Sequence, residues 1–324
     1  MKALRRGLLT AGLALLALGR FSAQSPKDPI AQANTALQAG EADRALTLLS
    51  SPTAGSAEAH NLKCRVLYTL EQWDHAASEC EMAVRMEGNN SNFHLWLGRT
   101  LGEKADRASF LNAYSLSKRV RAEFEEAVRL DPRNAEALAD LGEFYYSAPS
   151  VVGGGSNKAE GVALQLDKVD PARAHELRAN IAEEHKDLGT AEREFRLAIS
   201  AGAHPAFQWM SLASFFRRHE RWTEMDTAIN SGLHATERDR RASVALYNGA
   251  STLQRAHRNT ALAVRMMENY LASPVKTEEA PAFVAYTRLA GLKDELGDRM
   301  AAQQERAAAL SLAREYRPAQ EIKH

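Results

Sequence analysis

The stretch VVGGGSNKA, residues 151–159, is the part of this 324-residue chain that comes closest to a ligand-binding motif. Three glycines precede a lysine and a predicted helix start, where free backbone N–H groups could hold an anion. A nucleotide-binding P-loop needs glycine and lysine to be adjacent, whereas Ser156 and Asn157 separate Gly155 from Lys158 here. The P-loop also follows a β-strand, and the surrounding pattern is helical. We therefore interpret these residues as a turn in which Ser156 or Asn157 caps the next helix.

Residues typical of catalytic or metal sites are spread along the chain rather than clustered. The ten histidines form no HExxH sequence, and the two cysteines form no CxxC pair. The nucleophile sequence GxSxG is absent, and neither cysteine has the neighbours that mark a nucleophile. The sequence therefore predicts no catalytic residue, no metal ligand, no cofactor and no enzymatic activity.

The composition is that of a folded, soluble chain. Apolar residues make up 45% and charged residues 25%, which are ordinary fractions for a globular protein. Basic and acidic residues are balanced at 41 each, without a long run of one sign. A nucleic acid or an anionic membrane usually requires a clustered basic surface, so neither is an expected partner. The length fits two ordinary domains or one elongated solenoid.

The first residues have the pattern of a secretory signal peptide. Three basic residues at the start are followed by an apolar run at 7–18 and then by small residues. The run is shorter than the about 20 residues that span a bilayer, so no stable membrane insertion is expected after cleavage. Cleavage after Ala23 and cleavage after Gly19 both remain open. Residues 1–23 are thus predicted to be a signal peptide, and the mature chain to be periplasmic or secreted, with a net charge of −4 from 37 basic and 41 acidic residues.

Residues 123–146 predict a helix, a sharp break and a second helix. Apolar residues of the first helix recur every three residues, and Asp131-Pro132 ends it because proline disfavours helical geometry in the preceding residue. Apolar residues of the second helix recur at spacings of three and four, which places them on one stripe. The residues that carry the two patterns are Phe124, Ala127 and Leu130, and then Leu138, Leu141, Gly142 and Tyr145.

This pattern resembles the tetratricopeptide repeat, a pair of antiparallel helices of about 34 residues. Related marks recur along the chain and divide it into about eight units. The resemblance implies an all-α, right-handed solenoid of about eight antiparallel helix pairs over residues 28–312, followed by a polar tail at 313–324. Three units are longer than the repeat, the seventh by only about two residues. The third has about ten extra residues around 105–117, which we expect to extend both of its helices, and the fourth has five within 147–157.

The repeat register places Cys64 and Cys80 on the two helices of one unit, facing each other. A disulfide and a pair of buried, reduced cysteines both fit this placement, and export would permit the disulfide. The register also places Arg217 and Arg218 late on the first helix of the sixth unit. In this family such positions lie near the concave groove and can hold the carboxylates of a peptide.

The resemblance implies a non-enzymatic, exported scaffold that binds a protein or an extended peptide in its concave groove. The alternative is a periplasmic carrier of a small ligand, as among repeat proteins linked to solute uptake, with the glycine-rich turn lining one end of a pocket. The candidate binding residues under these two hypotheses are Tyr146, Val152, Gly153, Gly154, Arg217 and Arg218.

Overall fold

The computed structural model describes residues 28–50 and 55–321. Within these residues the chain forms eight consecutive helix pairs and a short final helix, without a β-strand. Two 3₁₀ turns, Ser150–Val152 and Arg240–Ser243, precede the eighth and thirteenth helices. The predicted signal peptide lies outside the described residues.

The first four pairs occupy the N-terminal half of the described chain. Their helices are α1 (Pro29–Ala39) with α2 (Ala42–Leu49), α3 (Ala57–Thr69) with α4 (Trp73–Met86), α5 (Ser91–Asp106) with α6 (Phe110–Leu130), and α7 (Ala135–Ser147) with α8 (Ser156–Leu166). The remaining helices are α9 (Pro171–Glu184) with α10 (Leu188–Ala201), α11 (Pro205–Arg218) with α12 (Trp222–Arg238), α13 (Val244–Arg255) with α14 (Thr260–Ala272), α15 (Ala282–Glu295) with α16 (Arg299–Leu312), and the short α17 (Arg317–Gln320).

One local conformation forms the turn within six of the eight pairs. A residue with positive φ follows the first helix, and its N–H and the next N–H bond back to carbonyls of the last helical turn. This arrangement satisfies the free carbonyls at the helix end and reverses the chain within three residues or so. The residues with positive φ are Gly40, Glu71, Lys186, Glu220, His257 and Gly297. The two pairs without this turn are the third and the fourth, which carry the extra residues.

Small residues allow neighbouring helices to approach closely. A Cβ on Gly98 would lie 2.5 Å from the Phe124 ring, and a Cβ on Gly142 would lie 2.4 Å from the Leu177 side chain. Fully buried alanines occupy many other crossings along the array. The stack therefore depends on contacts between adjacent repeats, as expected for a solenoid.

The extra residues of the third unit are helical, which confirms the predicted extension. Helix α5 has 16 residues and α6 has 21, with only residues 107–109 between them. The tip of this long hairpin carries Phe110 and Leu111, whose side chains are 85% and 78% exposed.

The two ends of the solenoid meet and close it into a ring. One apolar cluster contains Leu37 and Leu62 of the first two pairs together with Phe283 of the eighth. At the same seam, a Cβ on Gly40 would lie 2.2 Å from the backbone nitrogen of Ala282, so glycine is needed there. Polar contacts flank the cluster: Tyr316 Oη donates to Glu71 Oε1 at 3.4 Å, and Arg314 N donates to Asp43 Oδ2 at 3.2 Å.

Residues 313–321, the described part of the predicted polar tail, take part in this seam and include the short helix α17. Ala313, Tyr316 and Ala319 are buried. The Tyr316 ring packs edge-on against Phe283, with ring centroids 4.9 Å apart. Apolar residues at spacings of three form one face of this short segment, which packs against α15 and α16 and belongs to the same apolar cluster as the first repeat.

Candidate functional site

The inner face of the ring contains two adjoining cavities, which we call the inner groove. The larger, about 430 Å³, is polar and lies beside Asn61 and Arg65 of α3. The other, about 390 Å³, is bordered by aromatic rings and charged groups from both halves of the chain. Trp96 and Glu278 line both cavities. The residues that give the second cavity its character are Tyr68, Trp96, Arg99, Tyr247, Arg288 and Tyr316.

An arginine of α5 lies at the centre of the groove. Arg99 Nε donates to Asp140 Oδ2 at 2.5 Å, and Nη2 donates to Glu136 Oε2 at 3.1 Å. Its guanidinium carbon stacks 4.7 Å from the centroid of Trp96, a cation–π contact. Burial disfavours the charge, but the two carboxylates outweigh burial and raise the pKa of Arg99. Arg99 is therefore fixed as a cation that joins the third and fourth pairs.

A non-helical segment of the chain itself lies against the groove. Residues 273–281, which connect α14 to α15 and which we call the inner loop, place Glu278 against the first two pairs. Arg65 donates to this carboxylate from Nε at 2.9 Å and from Nη2 at 2.5 Å. Gln38 Nε2 donates to Glu278 Oε1 at 3.1 Å, and Glu278 N donates to Gln38 Oε1 at 3.3 Å. The Arg65 and Glu278 side chains are only 14% and 12% exposed, so this ion pair is largely shielded from water.

The glycine-rich turn forms a packed corner of the fourth pair. Val152 is buried in the core, and Arg121 of α6 donates from Nη1 to its carbonyl oxygen at 3.4 Å. Gly153 has φ +101°, and a Cβ there would lie 1.9 Å from the Arg121 side chain. A Cβ on Gly154 would lie 1.8 Å from the carbonyl oxygen of Ala148. Close backbone packing thus explains the glycines at 153 and 154, and neither these two nor Val152 lines the inner groove.

The other three candidate residues lie near one another on the first helices of the fourth and sixth pairs. Arg218 donates from Nε and Nη2 to Glu183 of α9, at 2.7 and 2.6 Å. Burial and the nearby Glu143 raise the pKa of Tyr146, while Arg218 opposes this rise. Tyr146 and Arg218 therefore belong to one charged cluster that bridges three repeats.

Arg217 has a different environment from its neighbour. Burial and the like charges of Arg255 and Arg218 lower its pKa. Its Nε is buried and has no hydrogen-bond partner among the described residues. It therefore contributes positive charge to the cluster, and no acidic residue in the described part of the chain forms an ion pair with it.

The two cysteines are joined in a disulfide that links α3 to α4. Thr100 of the next repeat lies beside the bridge, with its Oγ1 3.5 Å from Cys64 Sγ. Over residues 28–50 and 55–321, no group of three or more histidine, cysteine or acidic residues is arranged to hold a metal ion. No helix in these ranges has the length and apolarity required to cross a membrane.

The main contacts of the inner groove were not predicted from the sequence. Gln38 and Arg65 lie more than 200 residues from Glu278 in the chain, so no spacing rule connects them. The signal that was available is the pair Glu278-Glu279 within a loop that ends in proline and is longer than a usual link between repeats.

No protein-family model and no curated protein matches the sequence. Among solved structures, a thermophilic tetratricopeptide-repeat protein of Thermus thermophilus is similar, with a TM-score of 0.50 and 17% identity over 59% of this chain and 99% of that chain. PilF of Pseudomonas aeruginosa matches with a TM-score of 0.39 and 12% identity over 82% of this chain and 97% of that chain. The first similarity, together with the repeated helix pairs, confirms the predicted tetratricopeptide-repeat solenoid.

Proposed function

We propose that this tetratricopeptide-repeat solenoid is an exported, non-enzymatic scaffold that binds a non-helical segment of a partner protein along its inner groove. The observation that carries the proposal is the inner loop, because the groove already holds a piece of polypeptide through charge-assisted hydrogen bonds from Arg65. A partner segment would use the same kinds of contact.

The composition of the groove suits peptide recognition. Aromatic rings and arginines are the side chains most often found at the energetic centres of protein interfaces. Here Tyr68, Trp96 and Tyr247 provide aromatic surface, and Arg99 stacks on Trp96 and is held by two carboxylates. Cavities of about 390 and 430 Å³ are within the volume range of ligand-binding pockets in proteins.

The second candidate function is a carrier of a small ligand. The closure of the ring favours it, because the Phe283–Tyr316 seam limits how a long chain could enter the aromatic cavity. In that case the ligand would lie between Trp96 and Tyr247, rather than at the glycine-rich turn.

Export is part of the proposal and rests on two features. Residues 1–23 have the pattern of a signal peptide. The Cys64–Cys80 disulfide is compatible with an oxidising compartment such as the periplasm or the exterior.

The test is site-specific photo-crosslinking in cells that express the full chain. The photoreactive residue p-benzoylphenylalanine replaces Tyr68 in the groove or, as a matched control, Tyr114 on the hairpin outside it. Mass spectrometry then identifies the adducts and the compartment in which they form. The scaffold proposal predicts protein adducts from position 68 and none of the same proteins from position 114.

Three other outcomes of this experiment decide against parts of the proposal. Equal crosslinking of the same proteins from both positions would place the partner outside the groove. A small molecule attached at position 68, without protein adducts, would favour the carrier. Adducts found only with cytoplasmic proteins would contradict export.

A further inference from the structure

The Glu278 carboxylate has the contacts of a bound ligand. Both of its oxygens accept hydrogen bonds from Arg65, and Gln38 contacts the carboxylate and the backbone N–H of the same residue. Recognition of a side chain and its own backbone together is how proteins read an extended peptide. The contacting residues come from α1 and α3, whereas the inner loop comes from the other end of the chain.

Two polar side chains of the inner loop, Lys276 and Thr277, have fewer hydrogen-bond or ionic partners than Glu278. Thr277 Oγ1 is buried without a hydrogen-bond partner among the described residues. The Lys276 ammonium group donates to the carbonyl oxygens of Leu271, at 2.9 Å, and Ser273. It has no carboxylate partner in the described structure, and burial lowers its pKa. Thr277 Oγ1 and the Lys276 ammonium group are therefore poorly compensated, whereas Ser243 Oγ donates to the Val275 carbonyl oxygen at 2.9 Å and Tyr270 Oη donates to that of Ala280.

Glu279 is the neighbouring carboxylate of the inner loop, and it is exposed at the edge of the aromatic cavity. Partial desolvation and the nearby Glu136 raise its pKa, and they outweigh the opposing effect of Arg99 and Arg173. Both arginines already form ion pairs with other carboxylates. Arg173 Nε, for example, lies 3.2 Å from Asp170 Oδ2. A second, exposed carboxylate thus lies next to Glu278 in the inner loop.

The surroundings of Arg65 offer contacts that the inner loop does not use. Asn61, which is 2% exposed, lines the same polar cavity as Arg65 and Glu278, and the acidic residues Glu58, Asp131 and Glu136 also line it. Its Oδ1 is buried and has no hydrogen-bond donor among the described residues. A peptide in this cavity could donate a backbone N–H to that oxygen while its carboxylate binds Arg65.

From these contacts we infer that Arg65 and Gln38 form a receptor site for an acidic peptide, and that the inner loop occupies this site as an internal competitor. The ligand class is a non-helical segment with two adjacent carboxylates. This inference rests on the proposed function and adds to it the chemistry of the partner and a means of regulation. The apolar seam need not open, because the competitor is a loop between two helices.

The inference can be tested with a synthetic peptide of sequence SPVKTEEAP, which reproduces residues 273–281, labelled with fluorescein. Fluorescence anisotropy measures its affinity for the chain without residues 1–23. Glu278→Gln should remove the competitor's charge and tighten binding by about tenfold or more, since a site that is about nine-tenths occupied lowers apparent affinity tenfold. Adding Arg65→Gln to this variant should abolish the gain. The peptide SPVKTQQAP is the matched control and should bind weakly to every variant.

A second measurement uses the unmodified chain and so does not depend on how the variants fold. An excess of the acidic peptide should accelerate amide hydrogen exchange at residues 275–280, because those residues leave the groove. Exchange in α15 should stay unchanged.

Unchanged affinity in Glu278→Gln, or equal binding of the two peptides, would overturn the inference. The proposed function would still stand if position 68 crosslinked a protein partner. If position 68 crosslinked no protein and neither peptide bound, the inference and the proposed function would both fail.

Discussion

Because the ring is closed, a substitution that destabilises the eighth repeat should also destabilise the first. Phe283 is the residue to change, because it is 1% exposed and belongs to the same apolar cluster as Leu37, Leu62 and Val66. In an open solenoid, each repeat contacts only its neighbours, so a substitution in the last repeat destabilises the end to which it belongs. In the closed ring, Phe283→Ala should also expose the first two pairs.

The expected size follows from the burial of Phe283. Truncation of a fully buried phenylalanine to alanine costs about 3–5 kcal/mol. The ring loses contacts on both sides of the seam, and each change of about 1.4 kcal/mol alters an opening equilibrium tenfold. If most of the loss falls on the seam, amides of α1 and α3 should exchange about 100-fold faster than in the unmodified chain.

Hydrogen exchange measured by mass spectrometry is the suitable assay, because it reports each helix separately. Leu289→Ala is the matched control. Leu289 is also 1% exposed and lies in the same helix, but it packs into the cluster of the fifth to eighth repeats. Both variants should loosen α15, whereas only Phe283→Ala should accelerate exchange in α1 and α3. If Phe283→Ala left the exchange of α1 and α3 unchanged, the ends of the solenoid would not meet in solution.

Three further predictions concern packing, the disulfide and pH. Gly142→Trp should unfold or split the array, because even a Cβ there would lie 2.4 Å from a leucine of α9. Thermal melting measures this loss of stability. The control Gly161→Ala places its Cβ in open space and should raise the free energy of unfolding by about 0.5–1 kcal/mol. Reduction of Cys64–Cys80, which are 16 residues apart, should lower the free energy of unfolding in urea by about 3 kcal/mol. A hydrogen bond to a glutamate of α6 raises the pKa of His94 above 6.5. The stability from this shift is therefore present below pH 6.5 and is lost as the pH rises through the folded-state pKa. The free energy of unfolding in urea should accordingly fall between about pH 6 and pH 8.5, and it should fall less in His94→Gln.

Each of these predictions has a result that contradicts it. An unchanged melting point for Gly142→Trp would show that the repeat register is wrong. An unchanged urea midpoint after reduction would mean that the bridge constrains the unfolded chain very little. For His94, an identical pH dependence in the Gln variant would assign the effect to other groups.

The helix pairs could be predicted because their contacts are local. Gly98 meets Phe124, and Gly142 meets Leu177, so both contacts join the same or adjacent repeats and leave a spacing in the sequence. The helical extension at 105–117 was predictable for the same reason, since apolar residues continue at helical spacing through it.

The ring seam and the inner loop left no such signal. Gly40 and Ala282 touch across 242 residues, and their contact depends on the summed rotation of all the repeats between them. The glycine-rich turn had the composition of a binding motif, but its glycines are explained by Arg121 and the carbonyl of Ala148. The ionic contact in the groove joins Arg65 to Glu278, two residues that are ordinary in their local sequence.

The seam and the inner loop should act together, because the seam sets the distance between Arg65 and Glu278. Phe283 comes five residues after Glu278 and anchors the start of α15 against the first repeats. If Phe283→Ala loosens the seam, the inner loop should occupy the Arg65 site less often, although no group in that site has changed. The acidic peptide should then bind Phe283→Ala several-fold more tightly than the unmodified chain, approaching its affinity for Glu278→Gln.

The control Leu289→Ala should leave the affinity for the acidic peptide unchanged, because it weakens α15 on the side that faces the seventh repeat. The comparison thus separates general instability from loss of the competitor. Faster exchange of α1 and α3 in Phe283→Ala with no gain in peptide affinity would show that the seam does not hold the loop in place. The Arg65–Glu278 ion pair and its hydrogen bonds to Gln38 would then be sufficient on their own to keep the inner loop in the groove.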